Sequence, residues 1–152
     1  MAEMEVLFVK ISTRGRYGLK IIVDLAGLLD DGQNAIANIK SIAKRQGLPE
    51  NYIEQLIAPL KKAGYVKSVR GAQGGYLLAM LPEEITVGAV LRSLEGSLAP
   101  VDCVEERESG CGDADCGTCV TKSVWSKIND SLNDVVDSIT IKDMLEDSYA
   151  RK

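Results

Sequence analysis

Gly71-Ala72-Gln73-Gly74-Gly75 stands between two runs of β-formers, Tyr65 to Arg70 and Tyr76 to Ala79. Strand-forming residues on both sides of a glycine-rich turn predict a two-stranded hairpin. What stands directly before that hairpin narrows the fold sharply. From Thr13 to Leu29, apolar residues recur at Tyr17, Ile21, Ile22, Leu25, Leu28 and Leu29, the stripe of a helix with one face on a core. Asp30-Asp31-Gly32 ends it with turn chemistry. A short second helix is expected over about Asn38 to Gln46, burying Ile39, Ile42 and Ala43, with Gly47 as its C-terminal cap. Leu48-Pro49-Glu50 opens a third helix with the apolar face Ile53, Leu56, Ile57 and Leu60, closed by Gly64. Pro59 removes one hydrogen bond and predicts a bend near the end of that helix. Two helices joined by a Gly-containing turn, then a hairpin, describe a winged helix-turn-helix.

The charge pattern agrees with that reading. The net charge of −4 hides an asymmetry: residues 1–80 carry eleven Lys/Arg against seven acids, and residues 81–152 carry seven against fifteen. A basic half joined to an acidic half suits a module that binds a polyanion linked to one that does not. Composition removes other classes. The chain has no histidine, which excludes Ser-His, Cys-His and His-metal arrangements. One Phe and one Trp make an aromatic stacking platform for single strands improbable. No apolar run approaches the roughly 20 residues of a spanning helix, and no signal-peptide pattern opens the chain, so a cytoplasmic protein without membrane contact is expected.

Within the basic half, the exposed face of the third helix offers Glu50, Asn51, Tyr52, Glu54, Gln55 and Lys61 to a major groove. Asn and Gln can pair bidentately with adenine, and Glu can accept from cytosine N4. Arg70 at the wing tip is a long cation on a narrow ribbon, suited to the negative potential of a minor groove. Ser12, Thr13, Arg14 and Arg16, with Lys44, Arg45, Lys61, Lys62 and Lys67, suit phosphates. Double-stranded DNA is therefore the expected partner.

Four cysteines then fall within seventeen residues, Cys103, Cys111, Cys116 and Cys119, spaced C-x7-C-x4-C-x2-C in a polar, Gly-rich segment. Three chemistries compete. Structural zinc commonly uses two knuckles with a longer spacer between them, and here there is no second knuckle at a distance. The C-x4-C-x2-C spacing of Cys111, Cys116 and Cys119 is that of plant-type 2Fe–2S ferredoxins, with the fourth cysteine before rather than after. A thiol redox switch is the third possibility. Catalysis by Cys116-Gly117-Thr118-Cys119 is disfavoured, because no strand–helix alternation surrounds it and neighbouring acids oppose thiolate formation. No enzymatic activity and no small-molecule substrate are expected.

From Val120 to Ile139, Val120, Val124, Ile128, Leu132, Val135, Val136 and Ile139 recur at spacings of three and four, with no Gly or Pro between them. This predicts a long amphipathic helix whose apolar stripe suits an identical helix across a two-fold axis. Helix-turn-helix proteins often bind as dimers to paired half-sites. Thr140-Ile141-Lys142-Asp143 resembles a capping box that starts a last short helix. The fold class expected is thus mainly α with a small β-hairpin wing: a winged helix-turn-helix domain plus a long C-terminal dimerisation helix. The expected divisions are an N-terminal extension (1–9), a DNA-binding domain (10–96), a cysteine-rich loop (97–119), and a dimerisation helix with C-terminal tail (120–152).

Four stretches carry a family resemblance: Lys10-Ile11-Ser12-Thr13-Arg14-Gly15-Arg16-Tyr17-Gly18-Leu19; Tyr52-Ile53-Glu54-Gln55-Leu56; Val69-Arg70-Gly71-Ala72-Gln73-Gly74-Gly75-Tyr76-Leu77-Leu78; and Cys119-Val120-Thr121-Lys122-Ser123-Val124-Trp125. Together they resemble the IscR-like family of winged helix-turn-helix transcriptional regulators, which also contains NsrR and CymR. The resemblance runs from Val9 to Leu145. It implies a homodimeric repressor whose DNA binding is controlled by a 2Fe–2S cluster, one per protomer, and which regulates cluster-assembly genes. It implies ligand roles for Cys111, Cys116 and Cys119, and base contacts by Glu54 and Arg70. Two departures concern the fourth ligand: Lys122 stands where IscR members have histidine, and Arg16 where NsrR members have a carboxylate. Cys103 is then the leading candidate, giving an all-cysteine set. The alternative is a cluster-free dimeric repressor in sulfur or cysteine metabolism whose cysteines bind zinc or switch by oxidation.

Overall fold

The computed structural model describes residues 11–30, 35–104 and 119–152. In chain order the elements are α1 (Thr13–Asp30), α2 (Ile39–Gln46), α3 (Glu50–Lys62), β1 (Val66–Val69), β2 (Gly75–Leu78), α4 (Val87–Glu95), α5 (Lys122–Ser138) and α6 (Ile141–Ala150), with single 3-10 turns at Pro82–Glu84 and Asp102–Val104. The helix ends follow their local chemistry. Asn38 caps α2 by accepting from the Ser41 amide at 2.8 Å, which satisfies one of the orphan donors of the first turn. Gly47 takes φ +64°, the left-handed conformation that a helix C-cap needs and glycine adopts without steric cost. Helix α3 carries Pro59 through to Lys62. Thr140 and Asp143 form a reciprocal capping box at the start of α6.

The hairpin pairs antiparallel in the register Val66↔Leu78, Lys67↔Leu77, Ser68↔Tyr76 and Val69↔Gly75. It is fastened near its turn end by a third segment: Ala37 and Tyr76 exchange both backbone hydrogen bonds at 2.8 Å. The residues that lead into α2 thus extend the small sheet.

The core is made by the stripes of α1, α2 and α3 with the hairpin. Ile21, Ile22, Leu25, Ile42, Ile53, Leu56 and Leu60 have no exposed surface, and Val66 and Leu78 close the cluster from the strands. Each such side chain contributes roughly 1.5–3 kcal/mol by leaving water. Helix α4 adds Val90 and Leu94. The last helix returns to the same core, with Ile141 fully buried and Leu145 nearly so. Its approach is set by a β-bridge between Thr86 and Thr140, in which the Val87 amide donates to the Ile139 carbonyl (2.8 Å) and the Ile141 amide to the Ile85 carbonyl (2.9 Å). A smaller apolar cluster of Val87, Leu91, Leu98 and Val136 joins α4 to α5.

Candidate functional site

Burial divides α3 as its periodicity requires. Ile53, Leu56, Ile57 and Leu60 face inward, while Glu50, Asn51, Glu54, Gln55 and Lys61 are exposed. The major-groove candidates therefore share the outer side of one helix, on an element packed directly against β1 of the wing. Tyr52 behaves differently. It is half-buried and meets Tyr17 of α1 edge-on, with ring centroids 6.3 Å apart and planes at 83°, a favoured aromatic geometry. Lys20 sits 5.3 Å above the Tyr17 ring. Tyr52 is thus a strut between α1 and α3 as well as a neighbour of the exposed candidate face. Asn51 turns its side-chain oxygen back to the Tyr52 amide at 3.0 Å, which keeps it at the first turn of the helix.

Arg70 is exposed at the end of β1, and Lys67 is exposed on the same strand. Ser12, Thr13 and Arg14 are exposed at the start of α1. The donors of Ser12 are already engaged: its amide and its hydroxyl both give hydrogen bonds to the Glu95 carboxylate. Arg45 is similarly committed, in a bidentate pair with Asp24 (2.7–3.1 Å) that raises the guanidinium pKa and ties α2 to α1. Local sequence carries no signal for these two anchors, because Glu95 lies 83 residues from Ser12 and Arg45 lies 21 from Asp24.

Of the four cysteines, Cys111 and Cys116 lie outside the described residues. Cys103 is half-buried in the turn Asp102–Val104, and Cys119 is exposed just before α5. Cys119 Sγ lies 3.3 Å from the Thr121 hydroxyl. The Cys103 turn packs against α5, the helix that Cys119 leads into, so both ends of the cysteine segment are fastened to the same element. Helix α5 itself shows a stripe that the described residues leave uncovered: Val124 is 50%, Ile128 41% and Val135 56% exposed, and Val136 is its one buried residue. An apolar groove of about 560 Å³ lies where α1 meets α6, floored by Leu19, Val23 and Met144 with Arg16 and Lys20 at its lip. Among the described residues no helix is long and apolar enough to cross a membrane.

Comparison with known proteins agrees with this architecture. The family model Rrf2, described as "Iron-dependent Transcriptional regulator", matches residues 11–147. The HTH-type transcriptional regulator CymR of Bacillus subtilis is 42% identical over 135 residues, covering 89% of this chain and 88% of the relative. Its solved structure superposes with a TM-score of 0.72, covering 90% of this chain and 96% of that one. The HTH-type transcriptional regulator IscR of Vibrio campbellii is 34% identical over 140 residues, covering 91% of this chain and 79% of the relative. A solved structure of IscR from T. potens is 50% identical with a TM-score of 0.71, covering 91% of this chain and 88% of that one. Each of these relatives is named as a transcriptional regulator. With its winged helix-turn-helix architecture and a match over nearly its whole length, the protein belongs to the Rrf2 family of transcriptional regulators.

Proposed function

We propose that the protein is a homodimeric, cytoplasmic repressor whose operator binding is controlled by a 2Fe–2S cluster, one per protomer, and that it regulates cluster-assembly genes. The observation that carries this reading is the attachment of both ends of the cysteine segment to α5, the helix with the uncovered apolar stripe. Cys103, Cys111, Cys116 and Cys119 are the residues that would hold the cluster. The donor set fits: soft cysteine sulfur ligands suit iron–sulfur centres, and of the two described cysteines Cys119 is exposed and Cys103 half-buried. When bound, the cluster would supply an iron centre responsive to iron supply, oxidants or nitric oxide. The 50% identity to the T. potens IscR supports this branch of the family.

The remaining roles belong to the protein's own side chains. Glu54, Gln55 and Asn51 read base edges from the exposed side of α3, with Tyr52 bracing that helix against α1. Arg70 enters the neighbouring minor groove. Thr13, Arg14 and Lys61 take phosphates, and Ser12 holds the turn from which Thr13 and Arg14 project. The α5 stripe pairs with that of a second copy, which sets the spacing of the two reading heads. Gathering four sulfurs fixes the path of the chain between α4 and α5 and so the setting of each head relative to its twin. Ligation shifts that setting only by its differential affinity for the two arrangements.

Iron and sulfide analysis of anaerobically purified protein tests the reading, together with operator affinity of cluster-loaded and cluster-free protein at fixed salt. Equimolar iron and sulfide, visible absorbance and unequal affinities are expected; absence of sulfide after reconstitution sinks it. A second reading has its own support in the 42% identity to CymR and the exposure of Cys119. It is a cluster-free repressor whose cysteines bind zinc or switch by oxidation. A colourless protein holding stoichiometric zinc, or operator affinity that changes with thiol oxidation alone, is its signature.

A further inference from the structure

Helix α4 holds two partners at once, α1 and α5. Near its end, the Glu95 carboxylate accepts from the Ser12 amide and the Ser12 hydroxyl, both at 2.5 Å. The Ser12 hydroxyl oxygen accepts in turn from the Gly15 amide at 3.4 Å, and the Ser12 carbonyl from the Arg16 amide at 3.1 Å. Helix α1 has no acid in its own first turn, although a negative charge there is favoured by the helix dipole and the unpaired amides. Glu95 supplies that charge from another helix. The approach is close because position 15 is glycine: a Cβ there would lie 2.5 Å from Glu95 Oε1.

Three residues earlier, and so on the same side of α4, Arg92 donates to both carboxylate oxygens of Asp137 (2.7 and 2.9 Å) and to the Asn133 side chain of α5. Here too glycine permits the contact, since a Cβ on Gly88 would clash with Asp137 Oδ1. Helix α4 is therefore a bracket, with Glu95 gripping the opening turn of α1 and Arg92 gripping α5.

We propose that Glu95 is a positioning residue for DNA binding: acting through Ser12, it sets the opening turn of α1 from which Thr13 and Arg14 face the DNA backbone, and Arg92 ties that setting to α5. The proposal rests on the DNA-binding part of the functional reading and is independent of what the cysteines hold. It also separates the roles of neighbouring residues. Ser12 acts inside the protein as a holder, and the phosphate-facing work falls to Thr13 and Arg14.

The test uses the full chain with Glu95→Ala, Glu95→Gln, Ser12→Ala and the Ser12→Ala/Glu95→Ala double variant. Fluorescence anisotropy measures their binding to a duplex that the parent protein enriches from a randomised pool, over a range of salt. Glu95→Ala should weaken binding about tenfold, the scale of one lost charge-assisted hydrogen bond, that of Arg14 to its phosphate. It should also lower the slope of log affinity against log salt by about one, because Arg14 no longer meets its phosphate. A residue that only stabilised the fold would leave that slope unchanged. The double variant should bind no more weakly than Glu95→Ala alone, and Glu95→Gln, which keeps an acceptor oxygen, should recover part of the loss. Parent-like affinity in both Glu95 variants, or losses from Ser12 and Glu95 that simply add, overturns the proposal. If Glu95→Ala does not fold, the Glu95→Gln and Ser12→Ala proteins decide the matter by the same slope and affinity. A parent that enriches no duplex from the pool overturns the DNA-binding reading itself, whereas an enriched duplex bound equally by all variants overturns this proposal alone.

Discussion

Helices α3 and α5 carry the same kind of apolar periodicity and meet opposite fates. On α3, Ile53, Leu56 and Leu60 are completely buried and Ile57 is 2% exposed. On α5, Val124, Ile128 and Val135 stay 41–56% exposed. The residue types do not explain the contrast, since both stripes are built from branched aliphatics at spacings of three and four. The difference lies in what surrounds each helix. Helix α3 is enclosed by α1, α2, α4 and β1, while among the described residues α5 packs chiefly on α4 and the Cys103 turn. A stripe at helical period therefore specifies that a face must be covered and leaves open which surface covers it. An inward stripe holds the fold together; an outward one is a place for a second molecule.

Shrinking a side chain on the covered face should do the most damage. Leu56→Ala removes atoms from a site with no exposed surface and should cost about 2–5 kcal/mol of stability, read by chemical denaturation. A loss below about 1 kcal/mol would mean that α3 is far less tightly enclosed than its burial indicates. The same logic predicts a different outcome on the uncovered face. Val124→Asp combined with Val135→Asp should leave the circular dichroism spectrum of the fold nearly unchanged. It should convert a dimer to monomer in sedimentation and weaken operator binding on the order of a hundredfold, as expected when two linked sites become one. Retention of the dimer would move the interface away from the α5 stripe.

Smaller effects sharpen the contrast at the reading surface and the bracket. Arg70→Ala should cost about 1–3 kcal/mol of operator affinity with no change in stability, because the wing tip buries nothing; unchanged affinity would remove Arg70 from the interface. Asn38→Ala should cost about 1 kcal/mol of stability through loss of the α2 cap, measured by denaturant midpoint. The smallest effect belongs to Asp137, whose carboxyl is held below its ordinary pKa by the hydrogen bonds from Arg92. A carboxyl depressed in the folded state adds stability that is complete above its unfolded pKa and fades as pH falls through the folded value. The parent should therefore be more stable than Asp137→Asn near neutrality, and the gap should close on acidification. The side chain is nearly half exposed, so solvent screening keeps the gap small. A gap that is constant with pH would remove the charge from the explanation.

Much of the reading surface was legible from local pattern. The inward and outward faces of α3, the Asn38–Gly47 limits of α2, the hairpin around Gly71 to Gly75 and the Thr140–Asp143 capping box all follow from periods and caps set within a few residues. Other features escaped because their partners are remote. Nothing near Ser12 announces Glu95, nothing near Tyr76 announces Ala37, and Tyr52 reads as a base-facing residue until Tyr17 is found against it. The last helix is the clearest case. Sequence grouped 120–152 as a dimerisation helix and tail, whereas Ile141 and Leu145 lie in the core with α1. A ten-residue amphipathic helix looks the same whether it closes a core or trails from one.

The amino-acid sequence by itself determined the kinds of element, their ends and the face each must hide, because backbone hydrogen bonding and apolar spacing act over a few residues. It also supplied the four cysteines and the cations on which the proposed cluster and DNA roles rest. Only the tertiary structure decided that α4 clasps both α1 and α5, that α6 closes the core, and that the stripe on α5 remains uncovered. Those outcomes depend on which surfaces meet across tens of residues, and a one-dimensional period carries no information about that.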